Sequence, residues 1–215
     1  CGGDSFAFDF GVVDYANPVT ELLKHAQRHN MLTPWSEGER PRPKNPIFAD
    51  IKPRGHGDET SFHATVDLAS GWEGGFKRWQ RTWDSPTSDV LVITDEWAIE
   101  RGRGAVFHWT TRLPMRRDGD CVIIEGRRAL ATITLPPGVT AEIEQLPLQD
   151  PRRTKFEMVY HGASNRGIDS IHSGENGGLY GWAHAATQPR LTLRQPGTSG
   201  TLRVEVKLAL KAASA

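Results

Sequence analysis

The sequence predicts an all-β protein: one large antiparallel β-sandwich, long enough for a stacked double sandwich, with one short helix. Three observations carry this. Short segments of alternating apolar and polar residues recur at a spacing of roughly eight to twelve residues. The last of them, Leu202, Val204, Val206, Leu208 and Leu210, alternates strictly with Arg203, Glu205, Lys207, Ala209 and Lys211, which gives one dry face and one wet one. Turn formers abound, with 22 Gly and 14 Pro among 215 residues, as many tight connections require.

Taken in order, Ser5 to Phe10 sets Phe6, Phe8 and Phe10 on one face and Ser5, Ala7 and Asp9 on the other, a half-buried strand ended by Gly11. Asn17-Pro18 is a helix start, Asn at the N-cap and Pro at the first helical position, with Glu21 in the first turn. Leu22, Leu23 and Ala26 give that helix a short apolar side. Thr33 to Pro53 is broken by Pro34, Gly38, Pro41, Pro43 and Pro46 and reads as a surface loop; Arg40, Arg42 and Lys44 make it a binding-loop candidate. Strands follow at Phe62 to Leu68 and at Phe76 to Trp83, the latter with Lys77, Trp79, Arg81 and Trp83 on one side. Asp89 to Ile93 is a continuous apolar run, as in a strand buried on both faces. Ala105 to Leu113 carries Phe107, Trp109 and Thr111 on one face. Cys121 to Ile124 and Ala129 to Leu135 form a hairpin around Gly126-Arg127. Ala141 to Ile143, Phe156-Met158-Tyr160 and Leu191 to Leu193 precede the final strand, and Gly162 to Gly178 is a loop between strands. No break demands a second domain, so residues 1–215 are read as one sandwich.

Composition narrows the function. With 26 Lys+Arg against 26 Asp+Glu, the chain lacks the basic excess of nucleic-acid and membrane-surface proteins, and no apolar run is long enough to span a bilayer. Cys1 and Cys121 form no CxxC motif. A chain that opens on Cys1-Gly2-Gly3 fits either a fragment of a longer protein or a processed lipoprotein terminus. The fragment is favoured, because Asp4 to Phe10 reads as a strand already under way.

His29 leads the candidate catalytic residues. It stands where a loop enters a strand, and an imidazole is a usable base near neutral pH. Its neighbour Asn30 offers both a carbonyl and an amide. The plainer alternative is a histidine bonded to backbone. Tyr15 is the second candidate, a phenol able to exchange a proton beside a cation, against a plain packing role. His56, Asp58 and His63 pose a metal question, but their spacing matches no zinc signature. Asp95 and Glu96 point to opposite faces of a strand, so they do not converge as a glycosidase pair and read as a solvated strand end. No nucleophile elbow, phosphate loop or dinucleotide fingerprint occurs. Trp72, Trp79, Trp83, Trp97 and Trp109 are sugar-stacking candidates, though in a sandwich most tryptophans are core.

These residues also form an ordered series. Asp9-Phe10-Gly11, Tyr15, Asn17-Pro18 and then His29-Asn30 resembles the stretch of heparinase II/III-like polysaccharide lyases in which an Asp-x-Gly turn and a Tyr precede a His-Asn. Asp4-Ser5-Phe6 resembles the strand leading into it. Val66-Asp67-Leu68 with Trp72, Val92-Ile93-Thr94-Asp95-Glu96 and Phe107-His108-Trp109 resemble later segments of that family. The resemblance implies the C-terminal β-sandwich of a longer enzyme whose upstream part is an α/α toroid, acting outside the bacterial cytoplasm, in the periplasm or secreted. It implies β-eliminative cleavage of a uronic-acid polysaccharide of heparan sulfate-like or alginate-like type. His29 then corresponds to the sandwich histidine of the site and Tyr15 to a tyrosine near the cleft. Asn30, Arg40 and Arg54, with Arg28 and Arg42, are the substrate-binding candidates. Some members bind zinc through a His two places after the catalytic one; here that place is Met31, so no metal and no cofactor is expected. The competing expectations are a non-catalytic carbohydrate-binding sandwich and a purely structural one.

Overall fold

A computed structural model describes residues 1–9, 25–36, 51–72, 74–147 and 187–212. The strands among them are β1 (Leu32–Pro34), β2 (Arg54–Gly57), β3 (Phe62–Asp67), β4 (Phe76–Thr87), β5 (Val90–Ile99) and β6 (Gly104–Thr110). They continue with β7 (Met115–Asp118), β8 (Cys121–Glu125), β9 (Ala129–Thr134), β10 (Thr140–Pro147), β11 (Thr187–Pro196) and β12 (Ser199–Leu210). They make two antiparallel sheets, one of order β1-β6-β11-β10 and one of order β2-β3-β4-β5-β12-β9-β8-β7. Single 3-10 turns occur at Ala26–Arg28 and Ala69–Gly71.

The core lies between the sheets and follows from period-two alternation. The large sheet contributes Trp79, Ile93, Trp97, Val122, Ile124, Ile133, Leu202, Val204 and Val206; the small sheet contributes Leu32, Phe107, Trp109, Leu191 and Leu193, all buried. On β12 the wet residues Arg203 and Lys207 are exposed, as their alternation requires. The apolar row outruns the core: Leu208 is half-buried and Leu210 is 69% exposed. At about 4.8 Å per strand, four strands cover only about half the width of eight. Trp72, Trp79, Trp97 and Trp109 are core residues, and Trp83 is half-buried against them.

β8 and β9 pair as a hairpin around Gly126, whose N–H donates to the Ala129 carbonyl at 3.0 Å. Here a glycine is required by space. A Cβ at Gly126 would stand 2.5 Å from the Asp4 carboxylate, and that carboxylate accepts the N–H groups of Arg128 (2.6 Å) and Ala129 (3.0 Å). Gly126→Ala is expected to dislodge Asp4 and to cost about 1–3 kcal/mol, as overpacking does. A lowered urea midpoint at unchanged m-value is the measurement.

Several expectations change on contact with the structure. Asp4 to Asp9 is no strand. Its backbone is satisfied piecemeal instead: Phe8 N–H donates to the Thr110 carbonyl (2.9 Å) and the Phe6 carbonyl accepts from Trp109 Nε1 (3.0 Å). Phe6 is buried all the same. Lys77 does not share a face with Trp79, Arg81 and Trp83; the pairing of β4 with β5 is irregular between Phe76 and Arg78, and Lys77 turns out to solvent. Thr33 and Pro34 belong to β1, paired with Val106 and Ala105, rather than to a loop. The Asn17-Pro18 helix start, Tyr15, Arg40 and its loop neighbours, Phe156 to Tyr160 and Gly162 to Gly178 lie outside the described residues. No helix among the described residues is long and apolar enough to cross a membrane.

β6 is buried along its whole length, so the outer face of the small sheet is covered as well as its inner one. That outer face is polar: Thr33, His108, Gln188, Arg190 and Thr192 are all buried. The His108 Nε2 is 2.9 Å from Thr33 Oγ1, while its Nδ1 has no hydrogen-bond partner among the described residues. Burial, with the nearby Arg190 and Arg194 charges, pushes its pKa well below the usual 6.5. The unfolded chain therefore takes up a proton below about pH 6.5 that the folded one refuses. This contribution to stability is intact above that pH and is lost as pH falls, by up to about 1.4 kcal/mol per pH unit. Urea unfolding of the wild type and of His108→Gln between about pH 7.5 and pH 5.5 should show the shallower slope in the variant.

Candidate active site

His29 follows the Ala26–Arg28 turn as its C-cap, with its own N–H on the Ala26 carbonyl at 3.1 Å. Its extended backbone (φ −108°, ψ 161°) sends the chain on toward β1. Its ring meets a carboxylate: His29 Nδ1 lies 2.7 Å from Asp9 Oδ2, with the two side chains 29% and 47% exposed. A carboxylate only accepts, so Nδ1 is the protonated nitrogen and Nε2 is left for a reactant.

Both halves of this pair are set by Thr110 at the end of β6. Its N–H donates to Asn30 Oδ1 at 2.7 Å, beside His29. Its carbonyl accepts from Phe8 N–H at 2.9 Å and its hydroxyl donates to the Phe8 carbonyl at 2.6 Å, beside Asp9. The turn is also clamped from each sheet. Arg190 of β11 donates to the Gln27 carbonyl at 2.8 Å and pairs with Glu144 of β10. Arg81 of β4 donates to the Asn30 carbonyl at 3.0 Å.

Arg81 is itself held by a carboxylate that the sequence reading placed in solvent. Asp95 is completely buried and takes a two-pronged hydrogen bond from Arg81 Nε and Nη2, both at 2.7 Å. Trp79 Nε1 donates to the same carboxylate at 2.7 Å. The guanidinium lies 5.4 Å from the Trp79 ring centroid and 5.5 Å from that of Phe107. Asp95 is dry because it shares the inner face with Ile93 and Trp97, while its neighbour Glu96 faces water. The missed signal is the cross-strand pairing Arg81↔Asp95, opposite charges on one face.

The remaining candidates divide. Asn30 is next to His29, but its side-chain oxygen is committed to Thr110. Arg28 is 7% exposed, a buried residue rather than a rim cation. Arg54 opens β2, the exposed edge strand, two strands out from β4. It pairs with Thr65 in the row that continues through Thr82, whereas Arg81 and Trp83 hold the core-facing rows. It therefore points off the outer face of the large sheet, away from His29. Of the metal candidates, Asp58 spends Oδ1 on its own turn, accepting from Thr60 N–H (2.8 Å) and Ser61 N–H (2.9 Å), which holds its pKa down to about 2. His63 Nδ1 contacts Asp84 at 2.5 Å. No group of three or more His, Cys, Asp or Glu among the described residues is arranged to hold a metal ion.

No protein-family model matches the sequence, and no curated protein does. Solved structures do match. A mutant of the heparan sulfate lyase HepC from Pedobacter heparinus superposes with a TM-score of 0.59 at 14% identity, covering 98% of this chain and 30% of that one. The unmutated HepC gives 0.58 at 12%, covering 99% and 29%. A structure described as heparinase III gives 0.54 at 11%, covering 92% and 26%. At such identities the likeness is one of fold: the chain has the architecture of a β-sandwich region found in polysaccharide lyases. It spans less than a third of the length of these structures.

Proposed function

We propose that this chain is the sandwich part of a polysaccharide lyase, acting on a uronic-acid-containing polysaccharide of heparan sulfate-like or alginate-like type by β-elimination. The observation that carries the reading is the Asp9–His29 pair, 2.7 Å apart and open to solvent on a fold shared with heparan sulfate lyases. In β-elimination a base removes the C5 proton, the charge spreads into the C6 carboxylate, and the C4–O4 bond breaks as O4 is protonated. His29 Nε2 is suited to proton transfer because Asp9 fixes the other nitrogen as donor and stabilises the imidazolium that forms. Asn30 turns its backbone toward Arg81 and, with its side-chain amide, supplies a donor near the developing charge. Tyr15 and Arg40 complete the proposal as a second proton-transfer group and a substrate cation; Arg54, on the outer face of the large sheet, has no part in it. The rest of the site comes from an upstream toroid, in a periplasmic or secreted enzyme that needs no cofactor. The test joins this chain to its upstream region and follows the ultraviolet absorbance of unsaturated product on heparan sulfate and alginate. Growth of absorbance supports the lyase. Binding without growth selects the carbohydrate-binding module instead.

A further inference from the structure

A groove of about 420 Å³ opens on the far side of the large sheet, away from the core and from His29, where β2, β3, β4 and β5 lie side by side. Register builds it. His56 pairs with His63, His63 with Asp84 and Asp84 with Val92, so four neighbouring strands place one row of side chains on the same outer face. The two imidazoles stack, with centroids 5.4 Å apart and planes 28° apart. Asp84 fixes His63 through Nδ1 and leaves Nε2 outward. Pro86 and Val92 add an apolar wall, and Thr94 and Arg203 close the far side. The Asp58 turn beneath the rim is already tied by its own hydrogen bonds, so the groove is preformed.

We propose that this groove is a second ligand site and that it binds an uncharged pyranose segment of an oligosaccharide. The size falls within the roughly 300–1,000 Å³ of small-ligand sites. Flat rings beside hydrogen-bonding groups match a sugar, which offers a C–H face and a hydroxyl edge at once. Asp84 can accept two adjacent hydroxyls while keeping His63. Charge gives an anion no advantage here: Arg203 is already paired with Glu205 at 3.1 Å, and the Asp84 carboxylate faces the groove. The site thus differs in preference from one built for a uronate chain, and it stands whether or not His29 is catalytic.

The experiment is an NMR titration of the chain with chitotetraose, with cellotetraose and with a heparan sulfate tetrasaccharide, read at the imidazole signals of His56 and His63. A saturable shift with at least one neutral tetrasaccharide is expected, with a dissociation constant of about 0.1–10 mM. Asp84→Ala and His56→Ala, both read at His63, should each weaken it by about tenfold or more, equivalent to about 1.4 kcal/mol. His56 is exposed on the edge strand β2, so its replacement leaves the fold intact even if Asp84→Ala does not. No saturable shift with either neutral sugar, an affinity unchanged in His56→Ala, or tighter binding of the heparan sulfate tetrasaccharide at these rings overturns the proposal.

Discussion

Replacing His29 by Ala in the complete enzyme is expected to lower turnover on a uronate polymer by about 10²–10⁴-fold, the usual worth of a positioned acid–base group. The fold should survive, since His29 is part-exposed and its backbone contacts, to Ala26 and Met31, need no side chain. Asp9→Asn is the sharper test. An Asn amide can donate to Nδ1, which would move the ring proton to Nε2 and remove the lone pair the reaction needs. A loss nearly as large as that of His29→Ala, with unchanged substrate binding, is the expected result in a kcat and KM comparison. Unchanged turnover in either variant would remove the pair from the mechanism.

Asp95→Ala should be the most destabilising single change considered. It strands the Arg81 guanidinium, 3% exposed, between Trp79 and Phe107 with no counter-charge. Removing one partner of such a buried pair costs about 3–5 kcal/mol, a large part of the roughly 5–15 kcal/mol by which domains are stable. Replacing both residues, Arg81→Met with Asp95→Leu, should recover most of that loss, because the desolvation penalty goes with the charges. A urea-unfolding double-mutant cycle measures the coupling. The recovered protein should still be impaired in catalysis, as it lacks the donor that holds the Asn30 carbonyl. A loss below about 1 kcal/mol for Asp95→Ala would mean that the pair behaves as a surface one.

How far the sequence could be read depended on the range of the interaction. β12 was legible because its dry and wet residues alternate without a fault, and the β8–β9 hairpin because Gly126 punctuates two apolar runs. Leu210 shows the limit of that reading: alternation tells which face a residue takes, not where the opposing sheet stops. Phe6 and Phe8 alternate like a strand, yet their backbone bonds go to Thr110 and the Trp109 side chain, more than a hundred positions away. Arg54 was the right residue type for an acidic substrate, but its direction depended on the register of β2 on β3, which no local pattern reveals. His29 was singled out by its own chemistry. Its partner Asp9 stood in the same motif without its role being evident, because the chain had first to fold back on itself.

Thr110 gives this arrangement a cooperative character. One residue carries the bonds that fix Phe8 on one side and Asn30 on the other, so fraying of the amino-terminal segment and loosening of the turn before β1 draw on the same anchor. Carboxylate and imidazole should accordingly be assembled or dispersed together, as a single local opening event. Protection of the Phe8 and Thr110 amides against deuterium would then rise and fall in step, and a Thr110→Val protein would exchange both more quickly while its inter-sheet core stayed closed.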